Sequence, residues 1–204
     1  MAGLGPGNPS QPALGLRERK KAKTRAAIQQ HALRLFREQG YDAITVEQIA
    51  EAAEVSSNTF FRYFPTKDDV VLYDAVDPLI FAAFVAQPAE VGPLQALRGA
   101  LQAVFATLPV TEMAEQRERA ALMVAVPELR MRMLDQLADA TQYLAELVAG
   151  RVGRRADDLA VRTFAGAVIG AMMGPLLAAA ADPAADYLAV MDASLAYLEA
   201  GLPL

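Results

Sequence analysis

Apolar residues recur at intervals of three and four along most of the chain, a spacing typical of amphipathic helices. The first such stripe comprises Ile28, Ala32, Leu35 and Phe36. Gly40 follows as a stop signal, so the first helix is predicted to run from Arg17 or Lys20 to Gln39. Alternating Val, Ile and Thr segments, which favour strands, are scarce. The pattern therefore predicts an all-α fold.

Three short helices are predicted next, at residues 46–53, 57–63 and from 67 onward. Each has a hydroxyl side chain at its predicted N-cap: Thr45, Ser56 and Thr66. Gln48 and Asp69 stand three residues after Thr45 and Thr66, where they complete capping boxes. Pro65 ends the third helix of the chain.

Longer apolar helices follow, separated by breaks near residues 87–93, 109–111, 126–127, 150–155 and 181–183. The breaks predict roughly five further helices, or about nine in all. We divide the chain into a disordered tail at 1–16, a small domain at 17–66 and a larger helical domain at 67–204. The tail is rich in Gly and Pro and lacks the pattern of a signal peptide.

The composition limits the chemistry that the protein can perform. Its 204 residues, 54% of them apolar, suffice for a sizeable core. Cysteine is absent and His31 is the only histidine, which excludes thiolate metal sites and disfavours a nucleophilic triad. Acidic neighbours such as Asp68 and Asp69 do not face each other on a helix, which argues against a hydrolase. We expect no enzyme activity, no catalytic residue, no metal and no cofactor.

The net charge of -5 is unevenly divided along the chain. Residues 17–37 contain eight Lys and Arg against one Glu, a local charge of +7. From Val71 onward, nine Arg stand against sixteen Asp and Glu, a local charge of -7. The asymmetry favours an N-terminal part that binds anions such as nucleic acid, with a solvated charged helix as the alternative.

Residues 24–71 contain, in order, a G-Y-D turn, T-V-x-x-I-A, V-S and T-F-F-R-Y-F-P-T-K-D-D. At these spacings the stretch resembles the N-terminal domain of the TetR (tetracycline-repressor) family of transcriptional regulators. The resemblance implies a helix-turn-helix with a support helix at 46–53, a turn at 54–56 and a recognition helix at 57–63. It also implies a cytoplasmic homodimer that binds double-stranded operator DNA.

By this resemblance Ser57, Asn58 and Thr59 open the recognition helix and are candidates for base-edge or nearby phosphate contacts. The other candidates for the DNA-contacting surface are Lys20, Lys21, Lys23, Arg25, Thr45, Phe61, Arg62, Tyr63 and Lys67. Two residues depart from the family pattern, because Glu54 replaces the usual turn Gly and Phe61 replaces a common Tyr. A positive φ at Glu54 would cost about 1–2 kcal/mol.

Large apolar groups in the C-terminal domain are candidates for a ligand pocket: Phe81, Phe84, Phe105, Leu108, Met113, Met123, Met131, Leu134, Tyr143 and Phe164. Helical spacing favours ordinary core packing for any single one of them. The region resembles actinobacterial family members, including mycofactocin-system regulators, that bind acyl-CoA-like ligands. That resemblance implies that arginines meet an acidic or phosphate-bearing head group, with Arg117, Arg119, Arg130 and Arg132 as candidates.

Residues 163–181 carry no charge and include Gly166, Gly170 and Gly174 at four-residue spacing. This pattern is also found in transmembrane helices, but Arg162 and Asp182 flank the run directly and no Trp or Tyr belt is present. We favour a soluble helix that pairs closely with a partner helix. The predicted dimer interface comprises Gly166, Gly170, Gly174, Tyr187, Leu188, Met191 and Leu195.

The function that these features favour is a repressor released from a palindromic operator by a small apolar ligand. The alternative is a helical small-molecule-binding or scaffold protein that does not bind DNA. An operator-specific gel shift at physiological salt distinguishes the two hypotheses.

Overall fold

The computed structural model describes residues 15–182 and 186–203 of the chain. All regular structure in this part of the chain is helical, which confirms the all-α prediction. The helices are α1 Leu16–Gln39, α2 Val46–Ala52, α3 Ser57–Tyr63, α4 Lys67–Leu72, α5 Asp77–Val85, α6 Pro93–Phe105, α7 Val110–Ala125, α8 Pro127–Val152, α9 Leu159–Ala181 and α10 Tyr187–Glu199. The tail predicted at 1–16 lies outside the described residues up to residue 14.

The N-caps of the short helices form as predicted. The Thr45 hydroxyl accepts a hydrogen bond from the Gln48 N–H at 3.3 Å, and the Gln48 side chain accepts one from the Thr45 N–H at 2.8 Å. Thr66 and Asp69 form the second capping box at the start of α4. Ser56 caps α3 by accepting from the Thr59 N–H at 3.1 Å. These local bonds fix where the short helices begin.

The described residues form ten helices rather than nine because the predicted fourth helix is divided in two. The carboxylate of Asp74 accepts a hydrogen bond from the Val76 N–H at 2.7 Å, which replaces a helical backbone bond in the link between α4 and α5. Pro78 then occupies the first turn of α5, where its missing N–H costs nothing. Asp74 and Pro78 were the local signals for this break.

Two hydrophobic cores organise the chain. The first joins α1 to α4 and also includes Leu129 and Met133 of α8. The second lies among α5, α6, α8, α9 and α10. Val70 and Val71 are completely buried in the first core, where α4 packs against α1 as well as against α7 and α8.

The turn between α2 and α3 contains a strained residue. Glu54 has a φ of 54°, and its neighbour Val55 donates a hydrogen bond to the Ala50 carbonyl at 2.9 Å. A side chain with a Cβ atom adopts this left-handed conformation at a cost of about 1–2 kcal/mol. The sequence therefore carries the strain that a glycine would avoid.

We predict that Glu54→Gly raises the free energy of unfolding by up to about 1 kcal/mol, because relief of strain exceeds the entropy gained by the unfolded chain. Chemical denaturation measures the change. Glu51→Gly, at an exposed position in the last turn of α2, is the matched control and should lower stability by up to about 1 kcal/mol. Equal destabilisation by both substitutions would show that the turn at Glu54 is unstrained.

Candidate functional site

The recognition helix α3 is anchored by one face and exposed on the other. Phe60 is 0% exposed and Phe64 is 1% exposed, so both anchor α3 in the first core. Asn58, Phe61 and Arg62 lie on the exposed face, where Phe61 presents 48% of its surface to solvent. This orientation leaves the first turn of α3 accessible to a DNA groove.

The other two candidates in the first turn of α3 are less free than Asn58. Ser57 and Thr59 are half-buried, and the Thr59 hydroxyl lies 3.0 Å from the Ser56 hydroxyl. Thr59 retains acceptor capacity and a methyl group, which are the groups that would contact a phosphate or a thymine methyl. Contacts of these residues with DNA stay predictions.

Two of the predicted phosphate-binding cations also hold the N-terminal helices together. The Arg25 guanidinium lies 4.7 Å from the ring centroid of Tyr73 and 5.7 Å from that of Tyr63. The Lys67 ammonium donates hydrogen bonds to the carbonyls of Tyr41 at 2.9 Å and Ile44 at 3.2 Å. Lys67 keeps one N–H for another acceptor.

The remaining DNA-binding candidates are exposed or half-buried on the same N-terminal unit. Lys20, Lys21 and Lys23 are exposed on α1, where Lys21 pairs with Glu18 at 3.2 Å. Thr45 is exposed at the start of α2, although its hydroxyl caps that helix. The exposed lysines are available to neutralise phosphates.

A cavity of about 210 Å³ lies in the C-terminal part of the protein, between α5, α6, α8, α9 and α10. Its apolar lining is formed by Val76, Ile80, Phe81, Leu97, Leu101, Phe105, Ala140, Leu144, Val168, Ile169, Met172 and Met191. Its polar lining residues are Asp74, Asp77, Gln116 and Tyr187. Typical ligand pockets measure roughly 300–1,000 Å³, so this cavity suits a compact ligand or part of a larger one.

Arg119 connects the polar residues of the cavity to the first core. It is 3% exposed and donates hydrogen bonds to the α4 carbonyls of Val71 at 2.8 Å and Leu72 at 3.4 Å. Its guanidinium also lies 3.0 Å from an Asp74 carboxylate oxygen and 2.5 Å from the side-chain oxygen of Gln116. One buried cation therefore joins the cavity wall to the end of α4.

The two carboxylates at the cavity differ in their surroundings. Although burial opposes ionisation, the Arg119 guanidinium and the Val76 N–H hold the pKa of Asp74 below its ordinary value. Asp77 keeps accessible surface and makes no hydrogen bond with the described residues. Desolvation by the surrounding protein, together with the nearby Asp74 carboxylate, raises the pKa of Asp77 to about 6. Asp77 is thus a carboxylate without a hydrogen-bond donor among the described residues.

Tyr187 contributes an aromatic wall to the same region. Burial, with the charge of Asp74, raises the pKa of its hydroxyl to about 12, so the hydroxyl stays protonated. Its ring meets the Phe105 ring edge-on at 6.4 Å between centroids. Sequence reasoning placed Tyr187 at the dimer interface and missed Asp74, Asp77 and Gln116. In the sequence, the signal that could have indicated the two aspartates was the spacing of Asp74 and Asp77 beside an apolar helix.

Of the ten predicted pocket residues, only Phe81 and Phe105 line this cavity. Phe84 is in the second core, and Leu108, Met113 and Phe164 pack against that core. Met123 packs against the first core. Met131, Leu134 and Tyr143 are exposed on α8, although the Tyr143 ring meets Phe81 at 4.6 Å. Apolar character alone did not indicate which side of each helix faces the cavity.

The four arginines expected to meet an acidic head group do not line the cavity. Arg119 binds the α4 carbonyls and Asp74, and Arg132 pairs with Asp68 and Asp69 at the start of α4. Arg130 is exposed, and Arg117 lines a separate groove beside α1. The expectation of an arginine-bound head group therefore does not fit this cavity.

The predicted interface residues separate into two groups. Gly166, Gly170 and Gly174 lie on an exposed face of α9, and no atom lies within 4 Å of a Cβ atom built at any of them. Met191 is 4% exposed and Leu195 is 0% exposed, so both are buried inside the protomer and have no surface for a partner. Leu188 is half-buried against the second core.

The segment Leu159–Ala178 of α9 is long and apolar enough to cross a membrane by length and composition, with a mean hydropathy of 1.5. One face of it is nevertheless part of the second core, since Val161, Ala165 and Val168 are at most 3% exposed. The opposite face carries the three open glycines. Such a face suits close pairing with another helix.

A support helix, a turn and an exposed recognition helix, joined to a helical body with an internal cavity, define a helix-turn-helix regulator. Residues 28–73 match the model for bacterial regulatory proteins of the tetR family. Residues 91–203, more than half of the chain, match the model for the MftR C-terminal domain. The chain belongs to the TetR family of transcriptional regulators.

The chain is 39% identical over 151 residues to the HTH-type transcriptional regulator TcmR of Streptomyces glaucescens, covering 71% of this chain and 67% of TcmR. It is 28% identical over 160 residues to the putative mycofactocin biosynthesis regulator MftR of Mycobacterium tuberculosis, covering 74% and 77%. The fold is similar to that of SmeT, the repressor of a Stenotrophomonas maltophilia multidrug efflux pump, with a TM-score of 0.60 at 19% identity over 87% and 89% of the two chains. The fold is also similar to that of a SmeT–triclosan complex, with a TM-score of 0.57 at 19% identity over 85% and 90% of the two chains.

We predict that Asp77→Asn stabilises the ligand-free protein at pH 8 by about 1 kcal/mol, after allowance for solvent screening. The pKa of Asp77 is about 6 in the folded protein, above its ordinary 3.8, because desolvation and then the Asp74 carboxylate oppose its ionisation more than Arg119 favours it. The ionised group therefore lowers stability above about pH 6, and the effect disappears below about pH 4, where both states are protonated.

Denaturation at several pH values measures this difference. Asp135→Asn, on the exposed surface of α8, is the matched control and should change stability little at any pH. A gain from Asp77→Asn that is the same at pH 4 and pH 8 would contradict the raised pKa.

Proposed function

We propose that the protein is a cytoplasmic repressor that binds a palindromic operator as a homodimer and is released by a small, mainly apolar ligand. The observation that carries this proposal is the contact of Arg119 with both the cavity residue Asp74 and the α4 carbonyls. A ligand that moves Asp74 or α5 would thereby disturb the helix that supports the recognition helix. The triclosan complex of SmeT supports a compact apolar ligand by analogy of fold.

Release requires that the ligand favour one arrangement of the two cores over another. Phe64, which follows α3, and Val71 of α4 belong to the same core, so displacement of α4 is transmitted to the recognition helix. Arg132 adds a second link, because it joins α8 to Asp69 of α4 at 2.6 Å. A coupling of about 1–3 kcal/mol would change operator affinity roughly 5- to 150-fold.

Dimerisation is supported by the exposed faces of α9 and α10. The open glycines lie on α9, and Ala189, Ala193 and Tyr197 are exposed at four-residue spacing on α10, which packs against α9. Tyr197 presents 60% of its surface to solvent. Two copies of this face would form a four-helix interface, and a two-fold dimer presents two recognition helices to two half-sites.

We predict that Asn58→Ala weakens binding to the selected operator by about 1–3 kcal/mol and alters base preference, because its amide side chain is the exposed hydrogen-bonding group of the first turn of α3. Thr59→Ala should have a smaller effect, since its hydroxyl also contacts Ser56. Fluorescence anisotropy on the operator and on single-base variants measures both.

Lys23→Ala is the control for this pair. This substitution should weaken binding to all DNA sequences alike. It should also lower the dependence of affinity on salt, as expected for loss of a phosphate contact. Unchanged operator affinity in both the Asn58 and Thr59 variants would show that α3 does not read the groove. Absence of any operator-specific binding by the wild type would instead favour the non-DNA scaffold protein.

We predict that the wild type sediments at twice the chain mass and that Gly170→Leu dissociates the dimer at micromolar concentration. The added side chain would hold two close-packed α9 helices apart. Gly150→Leu is the matched control, because Gly150 is also an exposed helical glycine with open space around it, on α8. A monomeric wild type, or equal dissociation by both variants, would contradict the proposed interface.

A further inference from the structure

We propose that the cavity binds a hydrophobic molecule carrying a protonated amine, and that Asp77 receives this amine. The inference rests on the proposed function, which makes the cavity a ligand site, and it adds the chemical class of the ligand. It follows from how charge and apolar surface are distributed around this one cavity.

The cavity wall is apolar except at one end. Aromatic and aliphatic side chains form most of the lining, including Phe81 and Phe105. The polar lining residues are Asp74, Asp77, Gln116 and Tyr187, and the described lining contains no Lys or Arg. A ligand with an apolar body and one polar group matches such a wall.

Among the polar residues at this end of the cavity, Asp77 is the one whose side chain is available to hydrogen-bond a ligand. One oxygen of Asp74 already accepts from the Val76 N–H and from Gln116, and the other accepts from Arg119. Asp77 lines the same cavity and makes no hydrogen bond with the described residues. Because Asp77 keeps accessible surface, an ammonium group of a ligand in the cavity can reach its carboxylate and form a charge-assisted hydrogen bond.

The charges at this end of the cavity indicate the sign of the charge that a ligand should carry. One guanidinium, that of Arg119, pairs with Asp74 and stands against two carboxylates, so this end of the cavity carries a net negative charge at neutral pH. A carboxylate or phosphate head group would be repelled by both aspartates. The ring of Tyr187 lies in the same wall, where an aromatic face adds a favourable contact for an ammonium group.

The size of the cavity selects compact ligands. At about 210 Å³ it is below the usual range for drug-sized molecules. Octylamine, octan-1-ol and octanoic acid are therefore suitable probes, because they share one apolar chain and differ only in the head group.

Isothermal titration calorimetry of the full chain at about pH 7.5 tests the proposal with these three probes. Octylamine should bind at least about tenfold more tightly than octan-1-ol, as expected for a charge-assisted hydrogen bond, and octanoate should bind most weakly. Asp77→Asn should remove the preference for the amine and leave the affinity for octan-1-ol unchanged, which also verifies that the cavity is intact. Asp135→Asn should behave as the wild type.

Equal affinity for the amine and the alcohol, preference for octanoate, or binding of none of the probes would overturn the proposal. Persistence of the amine preference in Asp77→Asn would overturn the assignment to this residue. A parallel operator titration separates the two proposals. If octylamine binds without changing operator affinity, ligand-controlled release is contradicted but the amine proposal is not. If octan-1-ol releases the operator as efficiently as octylamine, the amine proposal is contradicted but ligand-controlled release is not.

Discussion

The buried guanidinium of Arg119 is the contact on which the relation between the two cores depends. It supplies donors to two carbonyls near the end of α4, where the helix leaves backbone acceptors unpaired, and it neutralises Asp74 in the link to α5. Arginine suits this position because its planar group donates in several fixed directions at once. Without it, a carboxylate and two carbonyls would be buried with fewer partners, which is costly.

The same contact explains why α4 and α5 are separate helices. Asp74 interrupts the backbone pattern by accepting from the Val76 N–H, and the carboxylate is then directed to Arg119 on α7. The helix-turn-helix therefore packs against a short helix, α4, whose C-terminal end is connected through Arg119 to Asp74 of the cavity wall. Arg132 and Arg37 add ion pairs between the N-terminal helices and α8 or α7, at more exposed positions where such pairs contribute less.

Local signals in the sequence predicted the N-terminal helices because caps, stop residues and stripes act within a few positions of one another. Thr45, Ser56 and Thr66 cap as expected. The cavity was not predictable in the same way, because helical periodicity does not show which neighbour a face meets. Met191 and Leu195 accordingly lie in the protomer core, and Arg119 was expected to meet a ligand but instead binds the backbone. Only the folded chain brings Asp77, Phe105 and Tyr187 to one space.

The central claim is that Arg119 couples the cavity to the DNA-binding helices. A double-mutant cycle on operator affinity tests it directly, with Asp77→Asn, Arg119→Lys and the combined variant, all without ligand. Lysine keeps the charge near Asp74 but does not span the α4 carbonyls. The account predicts that Asp77→Asn changes operator affinity several-fold when Arg119 is present, because it removes the repulsion between Asp77 and the Asp74 carboxylate that Arg119 binds, and has no effect in Arg119→Lys. An equal effect of Asp77→Asn in both backgrounds would contradict it.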